Sequence, residues 1–309
     1  MPFSAGALVP DLSLSTLPFV ATVVLIFAGM EMAGFHALET KNPGRDFPRA
    51  IFISATLIFV LTVLGTMAIM WVVPDKQLSL AAGVIQAVEV MLDRIGVGWL
   101  TGPLAVLIAV GGIAQFGTWL VGPAKGLGVA AAQGDMPKTW RQHNRHGSPV
   151  AVLVIQAVIG SAFALAFVVL PSVNSAYWIL TAITTQVITV MYFLMFAAVI
   201  KLRYSQPDTP RAYKIPGGKP GVWIVAGIAL AALAFSFVVD LFPPNVVKGL
   251  GLGGYIAIML GGTFALSIGG PLLFWLFRKP AWAAPNAAAY LEGTEDEPDQ
   301  APTPDGGAS

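Results

Sequence analysis

Seven stretches of this chain are apolar over a length that fits a lipid bilayer, and no other feature restricts its fold as much. They cover residues 17–38, 49–73, 99–130, 149–170, 176–201, 221–241 and 253–277. A helix rises 1.5 Å per residue, so about 20 residues cross roughly 30 Å of hydrocarbon. Within that layer the backbone has to satisfy its own hydrogen bonds, which leaves a helical bundle as the solution for runs of this kind. The chain is therefore expected to be all-α and integral to the membrane, with seven transmembrane helices. Charge content agrees: Asp, Glu, Lys and Arg make up 11% of the 309 residues, against about 25% in a soluble domain.

The segment 79–95 differs from the spans. Val84, Ile85, Val88, Met91, Leu92 and Ile95 recur at helical spacing, with Gln86, Glu89 and Asp93 opposite them, the pattern of an amphipathic helix lying on the membrane surface. Lys and Arg are retained on the cytoplasmic side of short loops. Fourteen of them, from Lys41 to Lys279, fall in the first, third and fifth loops and after the last span, and only Lys76, Arg94 and Lys248 fall opposite. The N-terminus is accordingly expected outside and the C-terminus in the cytoplasm, in the plasma (inner) membrane. The first sixteen residues lack Lys and Arg, unlike the charged start of a signal peptide, so the first run is expected to stay in the membrane. Residues 278–309 are rich in Ala, Pro and acidic side chains and are expected to form a disordered cytoplasmic tail. A net charge of +1 argues against nucleic acid as a partner, and the absence of cysteine excludes thiol chemistry. No Walker loop, HExxH or Gly-x-Ser-x-Gly is present. No cofactor is implied, and no polar cluster of a membrane enzyme can be assembled.

One carboxylate stands where hydrocarbon should be. Glu31 is fourteen residues into the first span, about 21 Å along a helix and past the middle of the layer. Intramembrane charges usually face a bundle interior or a watery cavity and belong to a pathway. Gly29 and Gly34 flank it, which favours a break that exposes backbone N–H and C=O groups to a charged ligand. The alternative is a structural Glu paired with another helix. Gln115, Gln156, Thr184, Thr185 and Gln186 also lie within spans, and they need partners inside the bundle. His36, His143 and His146 read as interfacial or loop groups.

The segment GMEMAGFHALETKNPGRDFPRAI, 29–51, resembles the sixth helix and following loop of transporters in the amino acid, polyamine and organocation (APC) superfamily, with NPGRDFPRA its most specific part. TWLVGPAKGLGVAAAQGDMPKTWRQHNRHGSPV, 118–150, is similar to their eighth helix, its loop and the start of the ninth; KLRYSQPDTPRA followed by YKIPGGKP, 201–220, resembles the loop after the tenth. The match is best to the glutamate/γ-aminobutyrate antiporter branch. The resemblance implies the second inverted repeat of a LeuT-like fold plus two extra helices. Residues 1–201 would be the five-helix repeat, 202–277 the two additional helices and 278–309 the tail. The family's first five helices, with half of its substrate ligands, have no counterpart from Met1 onward.

The resemblance places Gly29, Met30 and Glu31 on the break of the sixth helix, with Glu31 at the central substrate gate and Phe27 and Ala28 lining the same site. Trp119 falls where the family carries a large aromatic over the substrate, although a midspan Trp can equally be packing. Tyr192 aligns with a gate tyrosine able to bond a carboxylate, or is a packed aromatic. The function so implied is a secondary active amino acid antiporter of the glutamate/γ-aminobutyrate type for a small amino acid or amine, in a truncated or split form, and not an enzyme. Membrane lipid, and a chain supplying the five helices, are the other expected partners. The alternative is a non-transporting membrane fragment or interaction subunit.

Overall fold

The computed structural model describes residues 13–31, 34, 40–73, 79–145, 148–170, 172–211, 213–247 and 249–284. All regular structure among them is helical. The first apolar run is not one helix. It forms α1 (Leu17–Ala21) and α2 (Val23–Ile26), parted at Thr22, whose hydroxyl donates to the Phe19 carbonyl at 2.7 Å. Turn geometry follows at residues 27–29, and Gly29 has a φ of 97°. That left-handed conformation costs an L-residue about 1–2 kcal/mol and suits glycine.

After the break, α3 (Pro43–Val72) begins with proline in its first turn, where the missing N–H has no partner to lose. The amphipathic segment forms α4 (Gly83–Arg94), tied at both ends. The Ser79 N–H donates to the Gln86 side chain at 2.8 Å, and Arg94 donates to the Val72 carbonyl at 3.0 Å. Only Ala87 of α4 is buried, whereas Val84, Ile85, Met91 and Ile95 remain exposed. The chain continues as α5 (Thr101–Ala132), then α6 (Val150–Ala164) and the short α7 (Ala166–Val169). Then come α8 (Val173–Ser205), capped by the Ser172 hydroxyl on the Ser175 N–H, and α9 (Gly218–Val239). Last are α10 (Leu252–Phe264) and α11 (Gly270–Leu276), joined by a π turn over Ala265–Gly269.

Six of these helical stretches are long and apolar enough to cross a membrane. They correspond to the second through seventh expected spans. The first, 17–38, is represented by α1, α2 and the turn after them; residues 32–33 and 35–39, with His36, lie outside the described residues. At 33 residues α8 is about 50 Å long, so it extends beyond roughly 30 Å of hydrocarbon.

The core sits where α8, α9 and α10 meet. Trp178, Ile179, Ala182 and Ile183 of α8 pack with Tyr255 and Met259 of α10. Polar groups are paired within it: the Trp178 indole N–H donates to the Tyr255 hydroxyl at 3.1 Å. Gln186 joins three helices, donating to the Phe237 carbonyl of α9 and accepting from Thr263 of α10 at 2.7 Å. Thr184 and Thr185 instead return their hydroxyls to carbonyls one turn back in their own helix, and the Gln156 side-chain oxygen is buried without a hydrogen-bond partner. Of the expected tail, residues 278–284 lie against the loop after α5: Arg278 pairs with Asp135, Arg141 donates to the Trp282 carbonyl, and the Ala284 N–H donates to the Ala132 carbonyl. Residues 285–309 are outside the described part.

Candidate functional site

The break in the first span is held by its own carboxylate. Glu31 Oε2 accepts from the Gly29 N–H at 3.0 Å, two residues back, an N–H that the unwound backbone leaves free. The same oxygen accepts from the Tyr192 hydroxyl of α8 at 2.7 Å. Through this one oxygen the broken segment is fixed to α8.

Trp119 covers the other side of the break. A Cβ placed on Gly29 would come within 2.7 Å of the indole Cη2, so the close approach requires glycine for space as well as for φ. Beneath the indole lies a cavity of about 380 Å³, inside the about 300–1,000 Å³ range of small-molecule sites. Ala28, Gly29 and Met30 of the break form one wall, Ala50, Ile51, Ser54 and Ile58 of α3 another, and Thr118 and Trp119 of α5 the third. Its polar side chains are the hydroxyls of Ser54 and Thr118; the latter donates to the Ala114 carbonyl at 3.2 Å.

The structure thus gathers Ala28, Gly29, Met30 and Trp119 around one cavity. It pairs Glu31 with Tyr192 at the Gly29 side. Phe27 stands outside the cavity wall. Sequence reasoning missed Ser54, Thr118 and the α3 wall, because small hydroxyl residues are common in spans and nothing in one sequence marks which of them face a void.

Second grips hold the outer pieces of the same span. The Ser236 hydroxyl of α9 donates to the Ala21 carbonyl of α1 at 3.0 Å, and Phe19 meets Trp178 edge to face at 4.7 Å between ring centroids. The first segment is thus broken, bears a carboxylate and is gripped by α8 and α9 beside a small cavity. The sequence profile of the amino acid permease family matches residues 3–264. The chain belongs to that family.

Among its relatives, the family member is 38% identical over 271 residues to an uncharacterized transporter of Legionella pneumophila, covering 87% of this chain and 58% of that protein. It is 32% identical over 248 residues to a glutamate/γ-aminobutyrate antiporter of Lactococcus lactis, covering 79% and 49% respectively. A probable agmatine/putrescine antiporter of the same species is 22% identical over 268 residues, covering 86% and 57%. The chain therefore spans about half the length of the curated relatives it matches. Its place in the APC superfamily of membrane transporters is established by these matches together with the six apolar helices.

Proposed function

We propose that this permease chain works in amino acid exchange of the glutamate/γ-aminobutyrate type, moving small acidic or neutral amino acids and related amines by alternating access. The observation that carries the reading is the double hydrogen bond on Glu31. One carboxylate oxygen ties the backbone of the break to α8 beside a cavity of substrate size. The chemistry is non-covalent. A substrate entering under Trp119 meets Gly29 and the unwound backbone, and competes with Glu31 for the Gly29 N–H. Freeing that N–H weakens the tie through Tyr192, so occupancy and the position of the broken segment are linked. The apolar walls suit the methylene chain of the substrate, with Ser54 and Thr118 as its hydroxyl contacts.

A second observation favours a shared site. No residue of α3 is buried, and the described buried positions of α5 all lie in its last third, at Ala124, Gly128, Ala131 and Ala132. In this reading the outward faces of α3 and α5 are covered by a further five helices, encoded in the same longer protein or on a partner chain, and these complete the substrate site. If no such helices exist, the chain is a non-transporting membrane subunit. The positive charges favour an outside N-terminus and a cytoplasmic C-terminus. A cytoplasm-active reporter is therefore expected to work after Arg145 and Pro216 and to fail after Lys76 and Lys248; the reverse pattern refutes this orientation.

The functional test is counterflow of labelled glutamate and γ-aminobutyrate in proteoliposomes, with and without the five preceding helices. Exchange is expected only with them. Glu31→Gln keeps size and one acceptor but loses the charge, and is expected to fold at normal yield with altered exchange; unchanged exchange would sink the gating role. Trp119→Phe is expected to retain exchange better than Trp119→Ala, since the aromatic face survives.

A further inference from the structure

Away from the candidate site, one carboxylate is wholly enclosed. Asp240 is the first residue past the end of α9; it is 0% exposed, and neither of its side-chain oxygens has a hydrogen-bond partner. Two effects oppose its ionisation. Removal from water disfavours the charged form, and burial pushes the carboxyl up to about 7. Asp240 also ends a 22-residue helix, where the backbone dipoles present their negative pole and repel an anion.

Among the described residues, the groups around it supply no compensating charge. From α10, the Tyr255 hydroxyl is the titratable group that feels the carboxylate, and it is itself 0% exposed. From α8, Trp178 directs its N–H to that hydroxyl, and from α1, Phe19 meets the Trp178 ring. The turn after α9 adds Leu241, Val246 and Val247 to the same apolar cluster. Lys248 lies outside the described residues.

The position couples this carboxyl to the broken span. The Asp240 N–H donates to the Ser236 carbonyl at 3.0 Å, and the Ser236 hydroxyl is the group that holds the Ala21 carbonyl of α1. Residues four apart lie on one face of a helix. The enclosed carboxyl is therefore one turn beyond the contact that fixes the first half of the broken span, and on the same side of α9.

We propose that Asp240 is a proton-binding site at the C-terminal end of α9, that it holds a proton in the conformation seen here, and that loss of this proton releases the grip of Ser236 on α1. An ionised carboxylate has to recruit water or swing out of the cluster, and either movement opens the α9 contact with α1. The sign follows from a folded-state value above the ordinary one. The stabilisation is complete below the usual carboxyl range, declines as pH rises toward about 7 and is absent above it. The site is separate from the substrate cavity and does not depend on what that cavity carries.

The test uses the whole chain in lipid nanodiscs with carbon-13 aspartate, followed by infrared spectroscopy of the carboxyl stretch and by hydrogen exchange at residues 17–22. Both are recorded from about pH 5 to about pH 8, with exchange corrected for its intrinsic pH dependence. A protonated aspartate band is expected at the acid end and is lost with a midpoint near 7, while exchange at 17–22 rises several-fold over the same interval. Asp240→Asn should lack the band and keep exchange low at every pH; Lys248→Gln should behave as wild type. The proposal is overturned if wild type shows no protonated aspartate band at the acid end, or if Asn retains the pH-dependent exchange. A Lys248→Gln variant with a displaced midpoint would also overturn it, by making Asp240 a salt-bridge partner. Should Asn fail to fold, different midpoints for the band and for exchange in wild type would overturn it equally.

Discussion

The helices α3 and α5 are as apolar as α8, α9 and α10, yet the two sets use that character differently. In the second set, side chains point at one another and bury Trp178, Ile183, Tyr255 and Met259, with polar groups paired between helices. In the first, Phe52, Phe59 and Leu61 of α3 and Leu107, Ile113 and Phe116 of α5 remain exposed. Apolar composition places a segment in the membrane, but it does not say whether lipid or protein meets it. What separates the sets is the buried polar group. Gln186, Thr263 and Ser236 reach neighbouring helices, whereas the hydroxyls of Thr56 and Thr118 satisfy carbonyls one turn back in their own helix and ask nothing of a neighbour.

The contrast is broken most directly by paired truncations. Tyr255→Ala removes a fully buried ring and leaves the Trp178 N–H without its acceptor. A loss of about 3–5 kcal/mol in unfolding of the isolated chain is expected. Phe59→Ala on α3, where the side chain is 59% exposed, should stay within about 0.5 kcal/mol. Equal losses would show that α3 is packed after all. A cost for Phe59→Ala that appears only when preceding helices are supplied would identify the covered face.

At the boundary between the sets, Gly29→Ala is expected to cost about 1–3 kcal/mol through its positive φ and to reduce the exchange proposed above. Adding Trp119→Ala should relieve the steric part and leave the backbone part. Full recovery in the double variant would locate the whole effect in the ring contact. Smaller still is Gln186→Leu, which strands Thr263 and the Phe237 carbonyl; about 1 kcal/mol is expected in denaturant titration, since bonds of this kind in membranes average about 0.6 kcal/mol. Thr263→Val on that background should then cost little. Arg278→Gln is the least consequential, because its ion pair with Asp135 is half exposed on both sides, and a melting shift equivalent to less than about 0.5 kcal/mol is expected.

Six of the seven expected spans, and the break, were legible because each contradicts its surroundings: long apolar runs contradict a soluble chain, and Glu31 between glycines contradicts an apolar run. The amphipathic helix was legible from periodicity, and α4 forms within the expected limits. The additional interruption at Thr22 was not, since Thr22 looks like any hydroxyl residue in a span until its bond to Phe19 is seen. Tyr192 became meaningful only through a partner 161 residues away. Asp240 was not legible, because a carboxylate at the end of an apolar run has the pattern of the start of a wet loop. The Tyr255 hydroxyl of α10, which feels this carboxylate, is remote from the local pattern.

The π turn at Ala265–Gly269 has a consequence for how this chain tolerates length changes. Such a turn holds one residue more than an α-helix of the same reach. Removing one residue there would restore regular winding and leave everything downstream at nearly its present rotation, whereas the same deletion in a regular part of the helix turns it by about 100°. Phe274, which meets Trp140 edge to face at 5.1 Å, would keep that ring after the first change and leave it after the second, and the 278–284 strap would keep or lose its hold on Arg141 and Ala132 with it. A single-residue deletion is therefore absorbed within this segment but becomes a rotation of the last quarter-span just outside it, a distinction invisible to hydropathy and decisive for where the end of the bundle docks.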